Sequence, residues 1–248
     1  VILTKYEETL PARESIATKQ EVDTAVNFDL LLSERRDIVN WKSILKNQLH
    51  ALLHQCFGDH YKKGYSKAFG KKACIAYTKE LKRRIKKEPN DFLSQSVIRR
   101  IERLILLTGQ LAVIDKKILN ISKDVLDVKT LTENIHGCGV STAATIVSQV
   151  YTIKRFSTKA KFAKYAGIAP TEKSSGQRGR LYTSPFGNRI LNQAIHRIAL
   201  SQISGNGDER GKIYYKKKLL EGKTKLWSLR CLKRQLSNRV FQVLKNAN

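Results

Sequence analysis

Residues 173–180 of this chain read KSSGQRGR, and their side chains are the ones best suited to chemistry. Two adjacent hydroxyls, Ser174 and Ser175, precede Gly176, with Lys173, Arg178, Arg180 and then Arg189 around them. No carboxylate lies between Glu172 and Asp208. Guanidinium groups grip phosphate oxygens bidentately, and a glycine lets the backbone come close, so the pattern suits a phosphodiester. A serine hydroxyl is a weak nucleophile until a base or metal takes its proton, and a phosphoryl transition state needs cationic neighbours. Lys173, Arg178 and Arg180 meet the second need, and nothing close in sequence meets the first. The same residues would also make a plain polar loop in water, so their surroundings have to decide.

Those surroundings are strongly basic. The 248 residues hold 47 Lys and Arg against 21 Asp and Glu, a net charge of +26. Residues 151–248 carry 22 of the cations and only 4 of the carboxylates. A folded half of this kind most often binds nucleic acid, because neutralising phosphates releases condensed counterions. An apolar fraction of 41% is enough for a core. No apolar run approaches the roughly 18 residues of a membrane span, so no membrane partner is expected. Cys56, Cys74, Cys138 and Cys231 are scattered with no CxxC spacing, which reads as reduced thiols rather than zinc ligands. His50, His54 and His60 have no carboxylate or thiol set beside them apart from Cys56, so packed or surface roles are expected and no metal site is assigned. His136 and His196 are read as structural. The chain starts at Val1 and contains no methionine, so an N-terminal portion is expected upstream.

The elements that must position these residues are helical. Residues 1–19 form a lead-in broken by Pro11, and residues 20–128 a helical arm. Leu31, Ile38, Trp41, Leu45, Leu49 and Leu52 recur at helical spacing from Glu21 to about Cys56. A loop-rich connection punctuated by Gly58, Gly64 and Gly70 follows. A second long helix starts after Pro89 with Asn90 or Asp91 as N-cap, its stripe being Val97, Ile101, Leu104, Thr108, Leu111 and Ile118. Two such stripes joined by a crossover describe an antiparallel coiled-coil arm, read as scaffold or dimer interface. Residues 129–248 form a compact domain of shorter helices. There, IHGCGVSTAA places Gly137 and Gly139 between two helices, with Ser141 or Thr142 as cap, a pattern like a helix-hairpin-helix that faces a phosphate backbone. The serine segment is read as a loop between helices, with the next helix starting near Thr183–Pro185 on a Ser184 cap. The last helices span Lys212 to Leu220 and Lys225 to Leu244, with Leu229, Leu232, Leu236, Val240 and Val243 buried. Lys216, Lys217 and Lys218 are candidate phosphate contacts, and Tyr151, Tyr165 and Tyr182 are either stacking or core residues.

SERRDIVNWKSILKNQLHALL, FGKKA, IHGCGVSTAATIVSQV, RFSTKAKFAKYAGIAP, KSSGQRGR and SPFGNRILNQAI occur in this order. Together they resemble the C-terminal part of the Piv-like (DEDD-type) insertion-sequence transposases, the bridge-RNA-guided serine recombinases, over residues 30 to 245. The resemblance implies a RuvC-like N-terminal domain with four acidic Mg²⁺ ligands, a coiled-coil arm, and a serine that becomes joined to a DNA 5′-phosphate. By position that serine is Ser175, five residues after the proline of GIAP, with Ser174 as the fallback. The acidic quartet is not present in this sequence, so no cofactor is assigned to it and Mg²⁺ belongs to the implied domain. The chain then reads as a fragment of a longer transposase or a decayed or domesticated remnant.

The resulting expectation is a DNA-binding transposase or recombinase that is enzymatic only with its acidic domain. Its expected partners are DNA, a structured guide RNA and further copies as dimer or tetramer, in a prokaryotic cytoplasm at the nucleoid. The competing class is a non-catalytic basic nucleic-acid-binding protein. A ribosome-associated or scaffold protein accounts for the charge alone and gives no reason for the ordered KSSG and RGR elements.

Overall fold

Thr18 and Glu21 open the first helix: the Glu21 amide donates to Thr18 Oγ1 at 3.2 Å, and the Thr18 amide donates to Glu21 Oε2 at 2.6 Å. This reciprocal capping box satisfies two amides that helix geometry leaves without partners. Helix α1 then runs Lys19–Phe57, free of proline and glycine throughout. The computed structural model describes residues 16–174, 179–183 and 186–247, with residues 171–174 and 179–183 given by their backbone alone. Helices α2 (Lys71–Lys87), α3 (Phe92–Ser122), α4 (Leu126–Asn134), α5 (Val140–Val150) and α6 (Lys159–Tyr165) follow. Strands β1 (Pro170–Ser174) and β2 (Gly179–Thr183) come next, then helices α7 (Arg189–Ile203), α8 (Glu209–Leu220) and α9 (Lys225–Ala247). The fold is mainly α, as the periodicity predicts. Among the described residues no helix is long and apolar enough to cross a membrane.

Backbone proximity divides the chain into two compact units, one of residues 33–116 and one joining residues up to 32 with those from 117 on. Within residues 33–116, Arg35 Nε donates to Asp115 at 2.7 Å and Arg100 Nε donates to Gln48 at 3.2 Å. Ascending positions on α1 thus meet descending positions on α3, so the two helices run antiparallel. Asp91 is the N-cap of α3, its carboxylate accepting from the Ser94 amide at 2.9 Å, and hydrogen bonds from Ser94 hold its pKa below the usual carboxylate range.

Two expectations for this unit are corrected. Trp41 is 54% exposed, and the buried line of α1 passes through Ile38, Leu45, Leu49 and Leu53. Lys42, whose ammonium is pushed down by burial and by Lys46, lies on the covered side in its place. The aliphatic stem of a lysine covers apolar surface that a count of apolar residues assigns elsewhere. The second correction concerns the connection after Phe57, which is a packed element rather than a loop. Tyr61, Tyr77 and Leu81 are buried with Val97, Ile101 and Leu104, and the Tyr77 hydroxyl donates to the Tyr61 carbonyl at 2.8 Å. Helix α2 presents Ala73, Cys74, Tyr77 and Leu81 at spacings of one, three and four to that core.

In the second unit, α9 is the central element and packs against α4, α6, α7 and α8. Its Leu232, Leu236, Val240 and Val243 are buried, as predicted, while Leu229 is half-buried. They close over Leu191, Ala194, Ile195 and Ile198 of α7 and over Phe162 and Tyr165 of α6 to make one core.

Candidate nucleic-acid interface

The serine segment leaves the core through a pinch of bare backbone. Gly167 has φ +63 and Gly187 φ +114, conformations that side chains rarely adopt. A Cβ on Gly187 would lie 2.5 Å from Gly167 Cα, and one on Gly167 would lie 2.5 Å from the Phe186 carbonyl oxygen. Only glycine at both positions lets the outgoing and returning strands touch. Directly behind them the Asn188 amide donates to the Tyr165 carbonyl at 2.7 Å, which ties the end of α6 to the start of α7.

Asn188 organises this crossing. Its Oδ1 accepts from the Leu191 amide at 2.9 Å and caps α7. Its Nδ2 donates to Gln149 Oε1 at 2.8 Å and to the Tyr165 hydroxyl at 3.2 Å. Gln149 in turn donates to Asp29 at 2.8 Å, and the Tyr165 hydroxyl donates to the Gln149 carbonyl at 3.1 Å. One turn on, Asn192 Nδ2 donates to the carbonyls of Ala166 (2.8 Å) and Gly167 (3.0 Å) and its Oδ1 accepts from Lys233 Nζ at 2.5 Å. The expected start of this helix near Thr183–Pro185 is corrected: α7 begins at Arg189, and Ser184 and Pro185 lie outside the described residues.

Between the pinched glycines the chain forms an antiparallel pair, not a loop between helices. The register sets Pro170 opposite Thr183, Glu172 opposite Leu181, Lys173 opposite Arg180, and Ser174 opposite Gly179. Five-residue strands of such mixed polarity show no alternation, so periodicity could not reveal them. Ser175, Gly176 and Arg178 lie outside the described residues, while Ser174, Lys173 and Arg180 are placed by backbone only. Like charges at opposed ladder positions are unfavourable unless an anion joins them.

A second set of cations stands at the base of the pair. Lys233 is pushed down to about 8 by burial, then by Arg230 and by Arg189. His196 is lowered as well, by burial and then by Lys233. Among the described residues no carboxylate pairs with Arg189, Arg230 or Lys233. These groups repel one another, and a bound phosphate would relieve that.

The remaining predicted residues fall into distinct places. Gly137 has φ +82 and lies against α7, where a Cβ would come within 2.8 Å of Ser201. Gly139 faces open space and caps α5 with no side chain bonded to the helix end. Ser141 and Thr142 sit in the first turn of α5 and do not cap it, and the Ser141 carbonyl accepts from Thr145 Oγ1 at 2.7 Å. The end of α5 thus presents amides to solvent with the positive end of the helix dipole. Lys216 and Lys217 are exposed, whereas Lys218 donates to both Glu221 oxygens at 2.8 Å. Tyr165 is a core residue at 2% exposure; Tyr151 is half-buried with φ +64 at the end of α5; the side chain of Tyr182 lies outside the description.

His50 packs edge-on against Phe69 and bonds the Tyr61 hydroxyl, His54 contacts Asp59 at 2.7 Å, and His60 is exposed. His136 is exposed, and its carbonyl accepts from Gln202. Among the described residues no group of three His, Cys, Asp or Glu could hold a metal ion.

Sequence reasoning missed Gln149, Asn192, Lys233 and the capping role of Asn188. For Asn188 a signal existed, since an asparagine after glycine and before RILNQAI is a standard N-cap pattern. The other three are polar residues on amphipathic helices, where only tertiary contacts distinguish them from solvent-facing ones.

Comparison with known proteins covers this same region. A model of the transposase IS116/IS110/IS902 family matches residues 129–216. An uncharacterized 43.6 kDa protein of insertion element IS110 from Streptomyces coelicolor is 37% identical over 111 residues, which are 44% of this chain and 27% of that protein. The match therefore spans about a quarter of the relative's length. Helices α5 to α7, the strand pair and the head of α8 all fall inside residues 129–216, the part of this chain that is similar to the transposase IS116/IS110/IS902 family.

Proposed function

We propose that the chain is the DNA-gripping part of an insertion-sequence recombinase, with Ser175 as the nucleophile. One observation supports this reading: the Gly167–Gly187 pinch joins the two backbone segments that lead into and out of the strand pair, and beside that crossing stand cations that no carboxylate neutralises among the described residues. In the reaction, Ser175 Oγ attacks phosphorus and its proton leaves to a base, while the 3′ oxygen departs with the electron pair of its bond to phosphorus and takes up a proton. A serine 5′-phosphodiester and a free 3′-hydroxyl result, and reversal by another 3′-hydroxyl exchanges strands. Lys173, Arg178 and Arg180 stabilise charge on the non-bridging oxygens, while Arg189, Arg230 and Lys233 hold flanking phosphates. The Mg²⁺ that the family resemblance implies would supply charge stabilisation and proton removal. The described residues contain no carboxylate set to hold it, so no step here is routed through it.

The exposed end of α5 at Gly139 and Ser141 serves as a sequence-independent backbone contact of the helix-hairpin-helix kind. Exposed Trp41 and Ile44 on α1 and Ile105 and Val113 on α3 support a coiled-coil-like arm that meets a second copy of the chain. A structured guide RNA would compete for the same phosphate-binding cations, and chromosomal DNA as substrate places the protein at the nucleoid.

The test is to trap the protein, joined to its upstream domain, on cleaved target DNA. A covalent adduct is expected for the wild type and none for Ser175→Ala. An adduct that persists in Ser175→Ala refutes the assignment, and DNA binding without any adduct in either protein supports the non-catalytic alternative.

A further inference from the structure

Beside the base of the strand pair lies a cavity of about 210 Å³, lined by Ile168 and Pro170 on one side and by α8 and α9 on the other. Two half-buried aromatic rings, Tyr214 and Trp227, share it with Arg230, Arg234 and Gln235. The Arg230 guanidinium sits 5.0 Å from the centre of the Trp227 ring, and Lys218 Nζ sits 5.4 Å from that of Tyr214. Lys218 is committed to Glu221, and Arg234 to Asn238. Among the described residues Arg230 makes no hydrogen bond or ion pair, so its charge is available to a ligand.

The volume falls below the roughly 300–1,000 Å³ of pockets that take drug-sized molecules, and it suits a single flat ring system. Aromatic faces beside a guanidinium that no described carboxylate pairs, in a chain half with a large excess of positive charge, match the chemistry of a base and its phosphate. An apolar side chain from a protein partner would leave Arg230 without a counter-charge.

We propose that this cavity captures one unpaired base of a DNA strand, stacked on Trp227, with the adjoining phosphate on Arg230. The inference rests on the DNA-binding reading above and deepens it: Pro170 lines the cavity and is also the first residue of β1, so a strand engaged by the strand pair would be splayed open here. Gln235, whose Nε2 reaches the Tyr214 hydroxyl at only 3.5 Å, offers its amide to the base edge. Because any base has a stackable face, little sequence preference is expected.

The sequence contains two tryptophans, Trp41 and Trp227, so Trp41→Phe leaves Trp227 as the sole tryptophan of the full chain and, under tryptophan-selective excitation, its reporter. This protein is titrated with a thymidine decamer, with an abasic decamer of equal charge, and with a duplex, binding being followed in parallel by anisotropy of a labelled strand. Quenching of Trp227 by the thymidine decamer is expected, with little or none from the abasic strand or the duplex. Trp227→Ala should weaken the thymidine decamer by about 5- to 150-fold, the range for removing one base–aromatic stack, and leave the duplex within about twofold. Arg230→Gln should weaken thymidine and abasic strands alike. Equal quenching by the abasic strand overturns the proposal, as does tight single-strand binding without quenching. Tighter binding of a uridine RNA decamer than of the DNA overturns the assignment to DNA. Duplex binding that persists while base dependence is absent defeats only this inference, whereas a protein that binds none of the three defeats the DNA-binding reading itself.

Discussion

Gly187→Ala puts the geometry of the crossing to a direct test. An L-residue held at φ +114 stores about 1–3 kcal/mol of backbone strain. The added methyl would also stand 2.5 Å from both Gly167 Cα and Gly167 N and 3.0 Å from the Tyr165 carbonyl oxygen. Carbon atoms settle at about 3.5–4.0 Å, so one of two backbone segments has to retreat by about 1 Å. None of these atoms is the end of a flexible side chain. The Asn188 to Tyr165 hydrogen bond, at 2.7 Å, spans the same gap and is broken or stretched. Together these effects predict a destabilisation of about 2–4 kcal/mol for the unit that holds the strand pair.

Urea unfolding of the full chain, followed by circular dichroism, measures the loss, with salt-titrated DNA binding as the second readout. Gly109→Ala provides a control of opposite sign. Gly109 lies within α3, exposed, with nothing within 4 Å of its Cβ position, so alanine there should stabilise by about 0.5–1 kcal/mol. A Gly187→Ala protein with an unchanged midpoint and unchanged DNA affinity would refute the pinch, and with it the idea that backbone contact positions the serine segment.

Asn188→Ala removes a helix cap and leaves Gln149 Oε1 without its donor, so about 1–3 kcal/mol should be lost on thermal unfolding; Asn188→Asp should recover the cap contribution alone. Lys233, lowered to about 8 from 10.5, has already released its proton in the folded state at pH values where the unfolded chain still holds it. Its contribution to stability therefore rises between about pH 8 and 10.5 and is flat below that window. If phosphate binds beside it, its pKa rises on binding. Calorimetry in buffers of different ionisation enthalpy should then show proton uptake near pH 8 and none at pH 6, an uptake that Lys233→Gln abolishes. Neutralising Lys216 and Lys217 should shallow the slope of log affinity against log salt by about 0.9 for each phosphate that is no longer neutralised. Neutralising Lys218 in addition should add less, because Glu221 already occupies it.

The chain order already determined that helices dominate, that α1, α3 and α9 bury regular stripes, and that the basic half holds the serine segment. Periodicity and net charge are properties of residue order alone, so they can be read without coordinates. Glycine spacing likewise marked 137–139 as a junction of helices. Three matters were settled only by tertiary structure. Lys42 rather than Trp41 takes the covered side of α1, because a long cationic stem packs where its head can still reach solvent. The serine segment is flanked by paired strands whose partners, Lys173 and Arg180, no local pattern connects. Gln149, Asn188, Asn192 and Lys233 meet at the foot of that pair although they come from three helices and a helix cap far apart in sequence. A polar residue on an amphipathic helix becomes part of a site only when another element arrives with the complementary donor or acceptor, and that arrival is decided by packing of the core.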